Sequence, residues 1–405
     1  MNKIIIIGGG ASGLIASIYA SKNGNEVILL EKNNNCGKKI LITGNGKCNY
    51  FNEDFTIKHY RSNNMEILNT IINENNKKLI LDFFNSIGIV PKIKNGYYYP
   101  NSNQAITIRE ALLIEAKLKG VNIINDVTVN NVTYINNKFN IETNKGIYKC
   151  DKVVIATGSK ASPNTGSDGI GYKFASNFGH TIIKPLPALV QLKGIDNYYK
   201  DWAGIKMDAS VNLYENNKYI DTSKGEILLT EYGVSGICIF DLSGRVARGL
   251  DSKKKEHLEI NFLPWLDDNI DNSIKWFDKQ IILVHDRTIS QILDGMLNYK
   301  LVNLILKQEK IANNTKWNDL NKDKKISLIN KLTKFYIEIT GVNSFDKAQI
   351  CSGGIPLSEI NINNMESLKQ KGLYIVGELL DVDGDCGGYN LGFAWLSGIL
   401  AGKHL

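Results

Sequence analysis

Proline and histidine are scarce in this chain, with 7 prolines and 5 histidines among 405 residues. The histidines, at 59, 180, 257, 285 and 404, do not have the spacing of metal ligands. None of the six cysteines, at 36, 48, 150, 238, 351 and 386, forms a CxxC pair. We therefore predict no metal site and no disulfide relay. Free thiols and the lack of a signal peptide favour a cytoplasmic protein.

Long hydrophobic runs and a strong charge of one sign are also missing. No stretch approaches the roughly 18 apolar residues of a membrane-spanning helix. Lys plus Arg is 48 and Asp plus Glu is 41, a formal charge of +7, whereas nucleic-acid-binding domains usually concentrate positive charge on one face. The densest basic cluster, at 253–255, is closely followed by acids, and we interpret it as a solvated loop. The composition predicts a small-molecule substrate, with no membrane and no nucleic-acid partner, and leaves the oligomeric state unknown.

Glycine is abundant, with 36 residues, and the first three glycines interrupt an apolar run. Residues 3–7 form a short strand-like run in which residues 4–7 are all isoleucine, a hydrophobic and β-branched pattern typical of a parallel strand buried on both faces. After the glycines, residues 11–22 carry small and apolar side chains at helical spacing, and residues 26–30 form a second buried run. The pattern predicts the βαβ opening of a nucleotide-binding domain.

The residues GGGASG at 8–13 match G-x-G-x-x-G, and Glu31 lies 18 residues beyond Gly13 at the end of the second strand. In this setting the glycines permit a tight turn, the helix N-terminus holds a pyrophosphate, and the acid accepts a hydrogen bond from a ribose hydroxyl. A carboxylate at this position would repel a 2′-phosphate, so NADP is disfavoured at this site. FAD and NAD remain.

Two further strand ends favour FAD over NAD. Residues 153–156 form a buried strand that ends in Thr157 and Gly158, and a second apolar strand near the C-terminus ends in Gly377 and Glu378. An extended cofactor such as FAD needs several strand ends to hold its adenine, pyrophosphate, ribityl and isoalloxazine parts. We expect Glu378 to accept hydrogen bonds from the ribityl chain.

Two loops complete the predicted site. The segment CGKKILITGNGKCN at 36–49 is dense in glycine, cations and amides and follows Glu31 closely, so we expect it beside the same cofactor. Within it, Cys48 is a candidate redox thiol, although a disulfide relay is not expected. The segment DVDGDCGGYN at 381–390 resembles a calcium loop, but counting from Asp381 the sixth position is Cys386 instead of glycine and the twelfth is Gly392 instead of glutamate. We interpret it as a glycine turn that enters a last helix at 390–403.

The rest of the chain changes from an α/β pattern to short strands and back. We predict helices at 66–88 and 104–119 in the first part, and helices at 289–297 and 325–334 further on. The predicted short strands of the middle region are at 189–193, 206–214, 218–221 and 225–230. This pattern indicates a discontinuous FAD-binding domain (1–185 plus 346–405), a β-rich substrate domain (186–262 plus 334–345) and a helical subdomain (263–333).

Four segments carry a resemblance to a known family. They are GGGASG, the loop at 36–49, GSDGIGYKFASNFGHTIIKPLPALVQL at 166–192, and GELLDVDGDCGGYNLGFAWLSGILAG at 377–402. Together they resemble the BaiN-like, or aminoacetone-oxidase-like, family of FAD-dependent flavoproteins, over nearly the whole chain. The resemblance implies an α/β fold with a Rossmann-type FAD-binding domain of the two-dinucleotide-binding flavoprotein type, an inserted β-barrel-like domain and a small helical domain.

The resemblance also implies which residues contact FAD. Val127 would hold the adenine through its backbone, and Lys47 stands where an arginine is expected, which replaces a bidentate contact by a point charge. The complete set of predicted cofactor-binding residues is Gly8, Gly10, Ala11, Ser12, Gly13, Glu31, Lys32, Lys39, Thr43, Gly44, Lys47, Cys48, Asn49, Val127, Thr157, Gly158, Gly377, Glu378, Asn390 and Leu391.

The predicted activity is that of an FAD-dependent oxidoreductase, in which FAD carries the hydride chemistry. We favour reduction of a conjugated C=C in a 3-oxo bile-acid-like substrate or another enone, because the inserted domain is large enough to shape a pocket for a sizeable substrate. Oxygen-dependent oxidation of an amine such as aminoacetone is the alternative chemistry, and a non-catalytic or tRNA-linked FAD-binding protein is an alternative of another class. Transient NAD(P)H is one candidate electron donor, because the chain has no second G-x-G-x-x-G. The catalytic acid or base is unknown; the candidates are Tyr97, Tyr98, Tyr99, Cys48 and Glu231.

Overall fold

The computed structural model describes residues 1–267, 269–284 and 286–405. The chain divides into two compact units. One contains Met1–Ala188 together with Phe345–Leu405, and the other contains Leu189–Ser344. Both chain ends therefore contribute to the first unit. The division of the middle region into a β-rich domain and a separate helical subdomain at 263–333 stays a prediction.

The first unit is built around a seven-stranded sheet with a parallel centre. Lys3–Ile7 pairs in parallel with Glu26–Leu30 on one side and with Lys152–Ile155 on the other. The isoleucines at 4–7 are almost completely buried, as expected of a strand covered on both faces. In spatial order the strands are Ile360–Asn361, Glu366–Ser367, Leu373–Ile375, Lys152–Ile155, Lys3–Ile7, Glu26–Leu30 and Asn122–Ile124.

The parallel register places several strand ends along one edge of this sheet. Ile7 lies opposite both Leu30 and Ile155, and Ile155 lies opposite Ile375. Segments that follow these strands therefore leave the sheet side by side. In open α/β sheets this carboxyl edge is where ligands bind.

Smaller sheets and helices complete the first unit. One three-stranded sheet contains Gly146–Cys150, Lys138–Thr143 and Val129–Ile135, and another contains Phe51–Asn52, Tyr97–Pro100 and Pro91–Lys94. Two-stranded sheets are formed by Ile183–Ala188 with Ile350–Gly354 and by Tyr60–Arg61 with Asp383–Gly384. The α-helices are Ala11–Lys22, Lys38–Ile42, Met65–Ile71, Glu74–Ser86, Ala105–Leu118, Ile170–Asn177 and Tyr389–His404. The 3-10 turns are Thr43–Gly46, Ile57–His59, Pro163–Thr165, Leu357–Glu359 and Gly377–Leu379.

The first helix and the last helix pack closely against each other because glycines form the contact. A Cβ atom at Gly398 would lie 2.3 Å from Cγ2 of Ile15, and one at Gly402 would lie 2.6 Å from Cβ of Tyr19. Side chains larger than hydrogen are therefore excluded at these two positions of the last helix. The contact joins the two ends of the chain in one hydrophobic core.

The second unit is a closed β-barrel with helices packed on it. Along its last strand, Phe335, Ile337 and Ile339 are buried whereas Tyr336 and Glu338 are exposed, the alternation of a barrel wall. The strands around the barrel are Leu192–Gly194, Gly233–Gly236, Lys218–Thr230, Lys206–Glu215, Glu256–Asn261 and Phe335–Val342. The helices are Tyr199–Trp202, Ile237–Asp251, Ile270–Leu283, Ile289–Leu293, Tyr299–Gln308 and Lys322–Thr333, with a 3-10 turn at Trp317–Asp319.

Several element boundaries differ from the sequence-based expectation for local reasons. The helix predicted at 66–88 is two helices, because Asn73 begins a new one and its side chain accepts a hydrogen bond from the Asn76 amide at 3.0 Å. The two strands predicted at 218–221 and 225–230 are one continuous strand. The helix predicted at 289–297 ends at Leu293.

Candidate functional site

The glycine-rich turn after the first strand is tight because two of its glycines touch backbone. Gly8 has φ +107°, and a Cβ there would lie 2.5 Å from the Ala156 carbonyl oxygen. A Cβ at Gly13 would lie 1.9 Å from the Gly8 carbonyl oxygen. Only glycine fits at either position, so these two residues shape the turn that brings the first helix up to the sheet edge.

Gly10 differs from its neighbours because it faces open space. A Cβ at Gly10 would meet no atom of the described residues within 4 Å. Gly10 is also the N-cap of the helix Ala11–Lys22, and within the described chain no side chain caps that helix and no acid lies in its first turn. An uncapped helix N-terminus beside an open cradle suits an anion, since its amides and the helix dipole both favour negative charge.

Glu31 is buried next to this turn and is already held by protein donors. Its Oε2 accepts a hydrogen bond from the Gly9 amide at 2.8 Å, and its Oε1 accepts from the amide and the side chain of Asn33 at 2.8 and 2.7 Å. A carboxylate accepts about four hydrogen bonds, so the three protein donors orient the group and leave room for about one more. A ribose hydroxyl fits that remaining position.

An ion pair joins the two distant parts of the predicted site. Lys39 Nζ lies 2.6 Å from Glu378 Oε2 and donates to the Ala161 carbonyl at 3.3 Å. The other oxygen of Glu378, Oε1, is buried and has no hydrogen-bond partner among the residues that the structure describes. A buried carboxylate oxygen without a donor is costly, so this atom calls for a donor from outside the chain, as a hydroxylated ligand would supply.

The loop 43–49 has a tightly folded backbone. Thr43 Oγ1 donates to the Ile40 carbonyl at 2.6 Å, and Gly44 and Cys48 both have positive φ, +54° and +57°. Asn49 is buried, and within the described residues its Oδ1 has no partner. Lys47 is exposed to solvent.

The last helix begins beside this loop. Gly388 is its N-cap in the left-handed region, where a Cβ would lie 3.0 Å from the Oδ1 atom of Asn49. Asn390 closes the preceding turn: its Oδ1 accepts from the Gly384 amide at 2.8 Å and its Nδ2 donates to the Gly384 carbonyl at 2.9 Å. Leu391 follows in the first helical turn. The helix N-terminus is thus held by side-chain contacts within its own loop.

The remaining predicted residues also lie along the carboxyl edge of the sheet. Val127 is buried, and its amide donates to the Glu31 carbonyl at 2.9 Å, so its carbonyl is the group left for a ligand. Lys32 forms an ion pair with Asp168 at 2.8 Å. Thr157 and Gly158 follow their strand directly, and a Cβ at Gly377, which follows the next strand, would lie 2.5 Å from Oγ of Ser12.

The suggestion of a redox thiol at Cys48 does not agree with the structure. Cys48 is completely buried, and burial raises the pKa of its thiol to about 12. Burial likewise raises the pKa of Cys36 to about 12, with the nearby Glu31 carboxylate adding to the effect. A thiol that does not ionise is a poor nucleophile. Burial therefore disfavours a nucleophilic role for these two thiols, and the predicted contact of Cys48 with FAD stays a prediction.

A histidine network next to the last helix has no signature in the sequence. The His59 ring stacks on Tyr389 at 4.3 Å, with Nδ1 2.9 Å from Asp385 Oδ2 and Nε2 3.1 Å from Asp54 Oδ2. The ion pair of Arg61 with Asp385 extends the network. The residues come from separate parts of the chain, so their spacing carries no motif.

Clusters of metal-ligating side chains and membrane-spanning helices were sought among the residues that the structure describes. Across residues 1–267, 269–284 and 286–405, no group of three or more His, Cys, Asp and Glu side chains is arranged to hold a metal ion. In the same ranges, no helix is long and apolar enough to cross a bilayer. His285 lies outside the described residues. His180 is buried, with Nδ1 2.9 Å from Glu359 Oε2 and Nε2 2.7 Å from Ser367 Oγ.

Taken together, these groups fit FAD. The open cradle at Gly10 and the uncapped helix suit the pyrophosphate, Glu31 suits a ribose, and the unpartnered Glu378 oxygen suits a polyol chain. Buried Asn49 adds an amide oxygen that needs a donor. All of these atoms belong to the first unit.

Comparisons with known proteins agree with this fit. The family model for the HI0933-like protein Rossmann domain matches residues 2–404. A 3-dehydro-bile acid delta(4,6)-reductase of Clostridium scindens is 36% identical over 405 residues, which cover 100% of this chain and 98% of the relative. Two ribosomal RNA dihydrouridine synthases, from Haemophilus influenzae and Escherichia coli, are 27% and 28% identical; each alignment covers 97% of this chain, with 96% and 95% of the respective relative.

Among solved structures, the open conformation of a flavocytochrome c3 fumarate reductase is similar, with a TM-score of 0.50 and 16% identity. The similarity covers 99% of this chain and 77% of that one. At this identity the likeness concerns the fold alone. Together with the family match it confirms the predicted Rossmann-type FAD-binding fold. The predicted class, an FAD-dependent oxidoreductase, is confirmed by the family match and the reductase that is 36% identical over the full length of this chain. The expectation that nucleic acid is not a partner gains no support, since two relatives are named for ribosomal RNA.

Proposed function

Because this chain belongs to the HI0933-like family of Rossmann-fold proteins, we propose that it reduces a C=C bond conjugated to a carbonyl group in a small organic substrate, with 3-oxo-4,6-diene bile acids as the model. The observation that carries the proposal is the full-length identity of 36% to an enzyme named for that reduction. The alignment covers 100% of this chain and therefore includes both units.

The site residues have distinct roles in this proposal. The Gly8–Gly13 turn and the first helix amides bind the FAD pyrophosphate, and Glu31 binds the adenosine ribose. The Lys39–Glu378 pair orients the ribityl chain, with Lys39 fixing one oxygen of the carboxylate so that the other faces the cofactor. Bound FAD supplies the hydride that the reduction needs.

The N-terminus of the last helix has an electrostatic role. Its amides follow Gly388 and lie beside Asn49. Such a terminus carries about half a positive charge, so it favours a flavin that gains electron density on reduction. The hydrogen bonds of Asn390 to Gly384 hold this terminus in place.

The electrons for the reaction would come from NADH or NADPH bound transiently. The sequence carries one G-x-G-x-x-G fingerprint, at Gly8–Gly13, and that site is the one we assign to FAD. A nicotinamide would therefore bind without a second fingerprint of its own and leave after reducing the flavin.

Reduction of uracil in RNA is a second candidate function. It is favoured by the alignment of two ribosomal RNA dihydrouridine synthases over 97% of the chain. The chemistry is related, because the uracil C5=C6 bond is also conjugated to a carbonyl. The lower identities, 27% and 28% against 36%, place it second.

A product assay distinguishes these candidates. The purified holoenzyme is incubated without oxygen with NADH or NADPH and either a 3-oxo-4,6-diene bile acid or ribosomal RNA that lacks dihydrouridine. We expect the bile acid to gain two hydrogen atoms by mass spectrometry and the RNA to stay unchanged. Dihydrouridine in the RNA with an unchanged steroid would instead establish the second candidate. If neither the bile acid nor the RNA is reduced, and a separate incubation with oxygen shows that the enzyme consumes an amine, both candidates are contradicted.

A further inference from the structure

A β-hairpin next to the loop 43–49 presents lysines and tyrosines on one face. Pro91–Lys94 pairs with Tyr97–Pro100, and the register sets Lys92 opposite Tyr99 and Lys94 opposite Tyr97. Successive side chains of a strand alternate between faces, and directly opposite residues share one. Lys92, Lys94, Tyr97 and Tyr99 therefore form a single surface, which we call the basic hairpin face.

The other face of the hairpin is anchored in the core. Tyr98 is buried there, with its ring 6.1 Å from that of Tyr50 and 5.9 Å from that of Phe51. The Tyr50 amide also donates to the Tyr98 carbonyl at 2.9 Å. These contacts fix the direction of the basic hairpin face, because the strand cannot turn over without exposing Tyr98.

The basic hairpin face borders the candidate FAD site at two points. A Cβ at Gly44 would lie 3.6 Å from Cε1 of Tyr99, and one at Gly387 would lie 2.4 Å from Cε1 of Tyr97. Gly44 belongs to the loop that we assign to the flavin, and Gly387 immediately precedes the N-cap of the last helix. Both tyrosine rings are half-buried against this edge.

The two lysines supply a concentrated positive charge at this edge. Lys92 and Lys94 are exposed, and no ion pair or hydrogen bond of their side chains is found among the residues that the structure describes. Because Lys92 and Lys94 are two residues apart on one strand, their Cα atoms are about 7 Å apart. A single carboxylate or phosphate fits between two such ammonium groups.

Protection of a sheet edge accounts for only part of this arrangement. Pro91–Lys94 is an edge strand, and lysines on an edge discourage pairing with another chain. Edge protection requires the charges but not their alignment with tyrosines that border the candidate FAD site. A nucleic acid needs positive charge along a longer path. Here an acidic residue, Glu53, adjoins the turn of the hairpin, where its amide donates to the Gly96 carbonyl at 2.8 Å, and the net charge of +7 is spread over the chain.

We propose that the basic hairpin face is an anion subsite for the substrate. A small-molecule substrate would carry a carboxylate remote from the conjugated C=C, with the acid bound by Lys92 and Lys94 and its ring system against the exposed edges of Tyr97 and Tyr99. The inference rests on the proposed function, since it concerns the substrate of the same site. It adds that the carboxylate of such a substrate is recognised, and it names the residues that select an acid over a neutral enone.

The test compares a charged and a neutral probe in the oxidised holoenzyme. The probes are a 3-oxo-4,6-diene bile acid and its methyl ester, and their binding is followed by the change in flavin absorbance, which needs no turnover. We expect the wild type to bind the acid about tenfold more tightly than the ester at low ionic strength, an advantage that salt reduces. In Lys92→Gln/Lys94→Gln the acid should bind as weakly as the ester, while ester binding and FAD content stay unchanged.

A matched variant controls for net charge. Lys117 and Lys371 are exposed lysines of the same unit, so Lys117→Gln/Lys371→Gln removes the same charge away from the site and should keep the preference for the acid. The proposal is overturned if the wild type does not prefer the acid, if both probes weaken equally in the hairpin variant, or if the control variant loses the preference too. It is also overturned if the hairpin variant self-associates but still prefers the acid, or if a uridine-rich RNA displaces the acid.

The same proteins separate this proposal from the proposed function. If the acid binds through Lys92 and Lys94 but neither probe is ever reduced, the anion subsite stands and the proposed activity fails. If acid and ester are bound and reduced equally well, the activity stands and the anion subsite fails.

Discussion

The open space at Gly10 makes a sharp prediction about cofactor binding. Gly10 has φ −80° and ψ −167°, an extended conformation that any residue adopts, and a Cβ there would meet no atom of the described chain within 4 Å. The substitution Gly10→Val should therefore fit into the protein without FAD. It should also fill the space that we assign to the pyrophosphate.

The two effects differ in size. Replacing glycine by valine at an N-cap destabilises the helix by up to about 1 kcal/mol. The substitution also lowers the conformational entropy of the unfolded chain, which offsets about 0.4–1 kcal/mol of that loss. The free energy of unfolding of the apoprotein should therefore change by less than about 1 kcal/mol. Hydrogen bonds to a charged group contribute about 1.5–3 kcal/mol each. The loss of two amide contacts to the pyrophosphate would weaken FAD binding by at least about 3 kcal/mol, or roughly 100-fold in Kd.

The assay measures both quantities on the same samples. The Kd for FAD is obtained by titrating apoprotein with the cofactor and following flavin fluorescence, and stability is obtained by urea unfolding of the apoprotein. Gly341→Ala is the control. Gly341 lies in the second unit, and among the described residues a Cβ there would meet only Lys193 Cδ within 4 Å, at 3.9 Å. If Gly10→Val binds FAD within about threefold of the wild type, the assignment of the pyrophosphate to this cradle is wrong.

Three further predictions concern buried titratable groups. Burial, with the neighbouring Glu215, raises the pKa of Glu256 to about 7, so its ionisation should lower the stability of the protein as pH rises from about 4.5 to about 7. Glu256→Gln should therefore raise the Tm more at pH 8 than at pH 5, and an equal rise at both pH values would count against the reasoning. Burial lowers the pKa of His180 below its ordinary 6.5, so the stability that the neutral ring contributes above pH 6.5 should decline below that pH. Thermal unfolding across this range should show a shallower decline in His180→Gln than in the wild type, and an unchanged slope would refute this. Cys386 is half-buried, whereas Cys48 is completely buried and has a pKa of about 12. Mass spectrometry after brief alkylation of the native protein should therefore find Cys386 modified and Cys48 intact, and equal labelling of the two would contradict the burial of Cys48.

The elements predicted most accurately are those whose signals are local. The strand Lys3–Ile7, the helix Ala11–Lys22 and the strand Glu26–Leu30 have the expected boundaries, because glycines and an asparagine-glycine turn separate patterns of clearly different period. The break at Asn73 was also visible in principle, since asparagine is a strong N-cap. The uninterrupted helical pattern on both sides concealed it.

The features that sequence could not supply depend on distant contacts. The ion pair of Lys39 with Glu378 spans 339 positions, and closure of the barrel depends on the pairing of Leu192–Gly194 with Phe335–Val342. Neither is encoded in a local spacing. Cys48 shows the same limit: its residue type suggested a redox thiol, whereas its burial, which depends on the whole fold, raises the pKa of the thiol and disfavours that role.

The central claim is that FAD bound in the first unit reduces a conjugated C=C bond. Its most direct test is a single-turnover experiment without oxygen, in which the flavin of the holoenzyme is first reduced and then mixed with a 3-oxo-4,6-diene bile acid while the flavin absorbance is recorded. We predict that the oxidised flavin spectrum returns, with one molecule of substrate reduced for each flavin. A flavin that stays reduced in the presence of the diene and is reoxidised only by air would contradict the claim.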